Sequence, residues 1–434
     1  MIQYEPVGQF RLDKRGNAVA RIPLPDPTIQ LSKRQARRFM LAAHGLLPPR
    51  QRKGKAGALE VVRDLNAIQF DPIDIAGSNP DLVLQSRVKG YRSPMLDELL
   101  YKERKLVDGF DKMASIFPVE DWPYFSRHRA KMIKKHGDPA GKVMKVAPDV
   151  LEKIREEGPQ SSLDFKGYEK TDWSWGPTRA SRAALESLYA MGELGIHHRE
   201  NKRRYFDLIG RLLPKVLLDA PDPNENMGEY QSWHVWRRIG GLKLAHAHAG
   251  EHWGGILGVK SRERRKILGV LVEEGRAHAV GVEELPGRVF FIQDRDLSLL
   301  KRIQGGIEVE EQAAFIAPLD NLIWDRKLVS WLFDFEYAWE VYKPKEKREY
   351  GYYVLPVIFA DRMVARVEPT FQRQNRSLTL KGWWWENGVG DVERMKPALQ
   401  ACIADFMAYV GAETIRVEGS LIGEGMRDWV KDLR

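Results

Sequence analysis

The chain has 434 residues, 43% apolar and 30% charged, the balance of a soluble globular protein with enough material for several buried cores. Its one cysteine, Cys402, excludes an internal disulfide framework and a cysteine-built metal cage, and no apolar run approaches the length of a membrane span. Lys plus Arg number 69 against 60 acidic residues, and the net charge of +9 is a modest indication of an anionic partner.

Residues 1–30 read as an irregular extension in which Pro23, Pro25 and Pro27 oppose helix. Ser32 is then a candidate N-cap, followed by an apolar stripe of Ala36, Phe39, Met40, Ala43 and Leu46 that Pro48 and Pro49 end. Between Ser32 and Ala58 stand Lys33, Arg34, Arg37, Arg38, Arg50, Arg52, Lys53 and Lys55 with no acidic residue, and Arg127 to His136 is a second acid-free basic run. Such clusters suit phosphate backbones, with a solvated helix face as the ordinary alternative. A helix over about 58–66 leads into a short strand carrying Gln69-Phe70-Asp71, and further helices open at Asn79-Pro80 and Pro94-Met95.

An internal echo follows. Leu185, Leu188 and Gly192 precede strand-like runs at 194–198 and 204–206, while Leu268, Leu271 and Gly275 precede runs at 277–280 and 289–292. Each reads as an amphipathic helix, a glycine C-cap and a hairpin, the second half of a winged helix. The stretch from Leu96 through Val107 is a weaker copy without the glycine. The predicted architecture is α+β: three tandem winged-helix motifs and a smaller, mostly β C-terminal domain. The expected divisions are an extension over 1–30, winged helices over 31–135, 136–215 and 216–305, and the β domain over 306–434. Arg199, Lys202, Arg203 and Arg204 on one wing, and Arg262, Arg264 and Arg265 at a recognition-helix start, are the candidates for DNA backbone contacts. Ordinary solvated charges are the competing reading for each.

In extended backbone the side chains at i and i+2 point the same way, so the Gln69 amide and Asp71 carboxylate can share one water. Pro72 keeps Asp71 out of the helical region. That is sufficient machinery for hydrolysis when the leaving group is already cationic, as an N-alkylated purine is. By spacing alone, a strand-end Asp making a turn before proline is the more ordinary reading. Asp74 and Asp81 are rival carboxylates, ranked below Asp71. His246, His248 and His252 lack a carboxylate or cysteine at a known ligand spacing, so no metal is expected. Trp383-Trp384-Trp385 and the pair Trp173 and Trp175 read as packing rather than base-stacking residues.

The block from Leu31 through Gln69-Phe70-Asp71, the run Asn79-Pro80-Asp81-Leu82-Val83-Leu84-Gln85-Ser86-Arg87-Val88, the stretch Ala317 to Arg326 and the stretch Lys347 to Pro356 together resemble the YcaQ/AlkZ-like family of winged-helix DNA glycosylases. The resemblance covers nearly everything after the first thirty residues. It implies removal of alkylated purines from double-stranded DNA, including the unhooking of interstrand crosslinks, with Asp71 activating water and Gln69 orienting it. The Gln-x-Asp form matches the YcaQ-like branch. It departs from the Gln-x-Gln form linked to self-resistance in producers of alkylating antibiotics, so general repair is the preferred reading over a glycosylase dedicated to one natural product. A non-catalytic winged-helix regulator is the rival from another class. A monofunctional enzyme is expected, since no desolvated lysine stands out for a Schiff base. No cofactor and no membrane partner are expected, and the chain is taken as a cytoplasmic, nucleoid-associated monomer.

Overall fold

The computed structural model describes residues 10–12, 18–20, 22–138, 141–173 and 176–418, and over these the chain is a mixed α+β protein. Trp175 and the helical piece expected after the last strand lie outside the described residues. Local chemistry starts the first helix, Lys33–Ala43. Ser32 accepts the Gln35 amide and the Gln35 side chain accepts the Ser32 amide, a reciprocal cap that stabilises such an end by about 1 kcal/mol. Ala36, Phe39 and Met40 then turn inward, as the stripe requires. The helix preceding the candidate site runs Gly54–Leu65, four residues earlier than its apolar pattern alone suggested.

Three helix–hairpin units follow one another. In the first, the Ser93–Asp97 helix continues through a π-helical turn, Glu98–Lys102, into a hairpin of Leu106–Phe110 and Ala114–Pro118. In the second, Ala180–Met191 ends on left-handed Gly192 and leads to Leu194–Glu200 and Arg203–Leu208. The two turn residues of that hairpin, Asn201 and Lys202, both have positive φ (46° and 71°), the geometry whose twist matches the flanking strands. The third joins Ser261–Glu273 to Ala277–Val282 and Phe290–Gln293.

Each hairpin is widened by a strand from elsewhere. Ile68–Gln69 lies antiparallel to the first hairpin, with Gln69 opposite Ser115. Gln160–Ser161 extends the second, and Ile29–Leu31 lies parallel to the third. The expected irregular extension is therefore regular at its end. Its prolines oppose helix but leave Ile29 and Leu31 free to form a strand whose last residue is fully buried.

Beyond these units a five-stranded sheet runs in the order Ala313–Phe315, Leu355–Phe359, Arg362–Gln372, Ser377–Trp385, Thr414–Val417, covered by the Val392–Val410 helix. This sheet has no core of its own. Leu355, Val367 and Phe406 share one with Val62, Ile68 and Ile116, while Leu328 and Ile358 share a second with Phe39 and Phe290. Between them the fully buried Arg87 guanidinium holds both Asp320 oxygens at 2.8 Å and donates to the His44 carbonyl. Among the described residues no helix is long and apolar enough to cross a membrane.

Candidate active site

Gln69, Phe70 and Asp71 stand where the Ile68–Gln69 strand leaves the first hairpin. The Phe70 amide still donates to the Ala114 carbonyl at 2.8 Å, so the extended path that aims Gln69 and Asp71 to one side persists past the strand's formal end. Two asparagines brace the carbonyls of this segment. Asn79 donates to the Gln69 carbonyl at 2.7 Å while accepting the Leu319 amide, and Asn321 donates to the Ala67 carbonyl at 2.9 Å. Both belong to stretches on which the family resemblance rests, and here they lock the strand to the 317–321 turn.

The three neighbouring aspartates differ in what they face. Asp74 pairs with Arg373 and Lys202, and accepts the Gly77 amide. Asp81 is half-buried and accepts from Ser78 and Tyr91. Asp71 accepts only the Ile73 amide at 2.9 Å, and among the described residues no cation pairs with it. Burial raises its carboxyl above the usual range, offset in part by that amide. A half-buried carboxylate with spare acceptor capacity is suited to taking a proton, and its neighbours are not.

Lys112, at the tip of the first hairpin, completes the group. Its ammonium lies 3.1 Å from Gln69 Oε1. An ammonium has donors only, so the Gln69 oxygen is fixed towards it and the amide NH₂ is left for a ligand. Burial, reinforced by the charge of Arg238, lowers the Lys112 amine to about 8. The tip cannot drift, because the adjacent Asp111 is clamped. Its Oδ1 meets Arg238 at 2.6 Å and His234 at 3.0 Å, and its Oδ2 meets Arg237 at 3.1 Å. Burial alone would raise the Asp111 carboxyl, yet Arg238, His234 and Arg237 together hold it well below the usual range. A desolvated lysine beside the site is thus present, contrary to the sequence reading. A hairpin tip carries no local signal of what it will touch.

The second hairpin reaches the same place. Arg199 stacks its guanidinium 4.0 Å from the Phe70 ring centre, donates to Asp108 at 2.7 Å and to Tyr101 at 2.9 Å. Expected on a DNA backbone, it instead braces the middle of the triplet from the interior. Its turn neighbours Lys202 and Arg203 are exposed, with Lys202 3.6 Å from Asp74. Arg204 pairs with Glu186 and lies over Phe206.

At the third unit, Arg262 is exposed, whereas Arg264 is buried over Trp253 and donates to the Ala247 carbonyl. Arg265 donates to the Ile22 carbonyl. Much of the basic run between residues 32 and 58 is likewise committed: Lys33 to Asp334, Arg38 to Asp361, Arg50 to Asp405, Arg52 to Asp64, Lys55 to Glu98 and Glu103. An acid-free stretch of sequence finds its acids in distant segments. The Ser126–His136 helix does keep Lys131, Lys134 and Lys135 exposed.

Two further features escaped the sequence reading. Tyr342 is 80% exposed on a loop with Lys343, Lys345, Lys347 and Arg348, and desolvation followed by the Asp71 charge raises its phenol, which marks it as a neighbour of that carboxylate. Asp325, at the start of the Arg326–Phe333 helix, lies against His248 and His252, supplying the carboxylate that the histidine spacing lacked. Trp383 is buried in the shared core, while Trp384 packs on Tyr350.

A family model described as DNA glycosylase AlkZ-like matches residues 62–409, a span that contains the triplet, Lys112 and the whole five-stranded sheet except Thr414–Val417. In fold the chain is similar to the solved structure of the DNA glycosylase AlkZ of Streptomyces sahachiroi, with a TM-score of 0.57 and 14% identity over 90% of this chain and 100% of that one.

Proposed function

The chain belongs to the AlkZ-like DNA glycosylases, and from that premise we propose that it hydrolyses the N-glycosidic bond of cationic N-alkylated purines in duplex DNA, crosslinked purines included, and releases an abasic site. The observation that carries this reading is the contrast among the aspartates: Asp74 is ion-paired and Asp81 is bonded by Ser78 and Tyr91, whereas among the described residues Asp71 accepts only a backbone amide, beside Gln69, whose oxygen is already held by Lys112. Alkylation puts positive charge on the purine, so the base leaves as a neutral molecule with the bonding electrons and needs no general acid. Water bound by the Gln69 NH₂ adds to the anomeric carbon, and Asp71 takes its proton. The same carboxylate stabilises the positive charge that develops on the sugar. Because burial raises the Asp71 carboxyl, it is a better base than a solvated one.

We take the three helix–hairpin units as winged helices, with Lys202, Arg203 and Arg262 as backbone contacts and Tyr342 as an aromatic surface for a displaced or damaged base. That no cation pairs with Asp71 among the described residues favours catalysis over binding alone.

The test is excision from duplex DNA carrying N7-methylguanine or a nitrogen-mustard crosslink, with alkali added afterwards to cut abasic sites. Asp71→Asn is expected to lose at least about 100-fold in rate while DNA affinity is kept. Equal rates in that variant would overturn the assignment. Strand scission without alkali, or borohydride trapping of the protein on DNA that is lost in Lys112→Met, would overturn the monofunctional reading and leave the glycosylase standing.

A further inference from the structure

Behind the Lys112 hairpin tip lies a second cluster that the hydrolytic reading does not use. His246 sits on the short strand Ala245–His246, His248 two residues on, and His252 in the single turn Glu251–Trp253. The chain brings Asp325 to them from the N-cap of the Arg326–Phe333 helix, where it also accepts the Leu328 amide. His248 Nε2 is 3.2 Å from Asp325 Oδ1, and His252 Nε2 is 3.5 Å from Asp325 Oδ2. The ligand atoms of the three residues all lie within 4.8 Å of one another. His252 and Asp325 are each 2% exposed, and both His252 Nε2 and Asp325 Oδ2 lack a hydrogen-bond partner among the described residues.

The hydrogen bonds around His246 assign the lone pairs. Its Nδ1 accepts the His248 backbone amide at 3.0 Å, so that nitrogen carries no proton. The His248 Nδ1 atom stands 2.6 Å from the same nitrogen and must therefore donate to it. A neutral His248 with its proton on Nδ1 aims the Nε2 lone pair at the Asp325 carboxylate. Two acceptors facing each other in a buried place repel, and beside them His252 Nε2 and Asp325 Oδ2, 3.5 Å apart, have no hydrogen-bond partner among the described residues. A proton on His248 relieves its own contact and leaves His252 Nε2 and Asp325 Oδ2 without a hydrogen bond.

A cation relieves both. Around a tetrahedral zinc ion with bonds of about 2.0–2.1 Å, neighbouring ligand atoms lie about 3.3–3.4 Å apart. The separations of 3.2 Å to Asp325 Oδ1 and 3.5 Å to Oδ2 are close to that edge, and one ligand atom from each of the three residues lies within 4.8 Å of the others, a spread that a bound ion would draw in. We propose that His248, His252 and Asp325 form a divalent-cation site of the zinc class, with His246 as the group that orients His248. Imidazole and carboxylate ligands without thiolate suit zinc, and three protein ligands leave a fourth position for water. The site is independent of the hydrolytic reading. Arg238 donates to the His252 and Gly254 carbonyls while holding Asp111, so fastening His252 to Asp325 stiffens the backing of the hairpin tip.

The experiment measures metal directly on the full chain, purified without a polyhistidine tag, dialysed with zinc and then against metal-free buffer. Elemental analysis is expected to find about one zinc per chain, reduced at least about tenfold in His248→Gln and in Asp325→Asn, the latter keeping an oxygen for the helix cap. Cobalt loaded in its place is expected to give the visible absorption of a tetrahedral N/O site, and a chelator to lower the melting temperature of the unaltered chain but not of Asp325→Asn. Less than about one zinc in ten chains, or the same zinc content in all three proteins, would overturn the site. The direct count needs no variant, so misfolding of either one does not blur the result.

Discussion

Asp71 and Lys112 frame the triplet with opposite shifts. The Asp71 carboxyl lies above the ordinary carboxylate range because burial disfavours its charge. Catalysis by the carboxylate is therefore present above that raised value and lost as pH falls through it. Lys112 is lowered to about 8, so its ammonium holds Gln69 below that pH and weakens as a donor above it. The excision rate is expected to rise on an acid limb set by Asp71 and to decline above about pH 8. In Lys112→Met the alkaline decline disappears and the rate at neutral pH drops about tenfold, about 1.4 kcal/mol of positioning. A pH series of single-turnover rates checks both limbs, and an unchanged alkaline limb in the variant would remove Lys112 from the site.

At the scale of elements, one hairpin carries two kinds of arginine within five residues. Arg199 is the inward partner of Asp108, whose side chain is 5% exposed. Arg199→Ala is expected to cost about 3–5 kcal/mol in urea unfolding, because it strands a buried carboxylate. Arg203, exposed beside the Asn201-Lys202 turn, is expected to change stability by less than about 0.5 kcal/mol when made Ala. Its loss should instead lower the salt dependence of DNA binding by about one unit of slope. Titrations across a range of salt concentrations, beside the urea curves, separate the two roles. The hairpin itself was legible: the Asn-Lys turn between alternating runs and the Leu-x-x-Leu-x-x-x-Gly signal before it are local chemistry. Which of its arginines would turn inward was not, since Asp108 and Tyr101 come from another hairpin and another helix.

For the molecule as a whole, the five-stranded sheet and the residues around the triplet share one core, and Arg87–Asp320 joins distant parts of the chain without exposure. Leu355→Ala is expected to cost about 2–5 kcal/mol and to lower the unfolding midpoint seen by far-ultraviolet dichroism and by tryptophan fluorescence together. Two transitions that respond separately would show that the sheet unfolds on its own. Asp320→Ala, which leaves a buried guanidinium without its partner, should cost about 3–5 kcal/mol in the same assay.

Sequence alone determined the features that depend on neighbours in the chain: the Ser32 cap, the helix–hairpin echo, the strand-rich end and the i, i+2 pairing of Gln69 with Asp71. Each follows from periodicity or turn chemistry within about a dozen residues. Tertiary structure decided how the charges were used. It sent Arg199 and Arg264 inward, matched the basic run near the N-terminus with distant acids, brought Lys112 to Gln69, left Asp71 unpaired, and delivered Asp325 to two histidines. A charge in a desolvated place must find a partner, and partners drawn from distant segments are invisible to any local pattern.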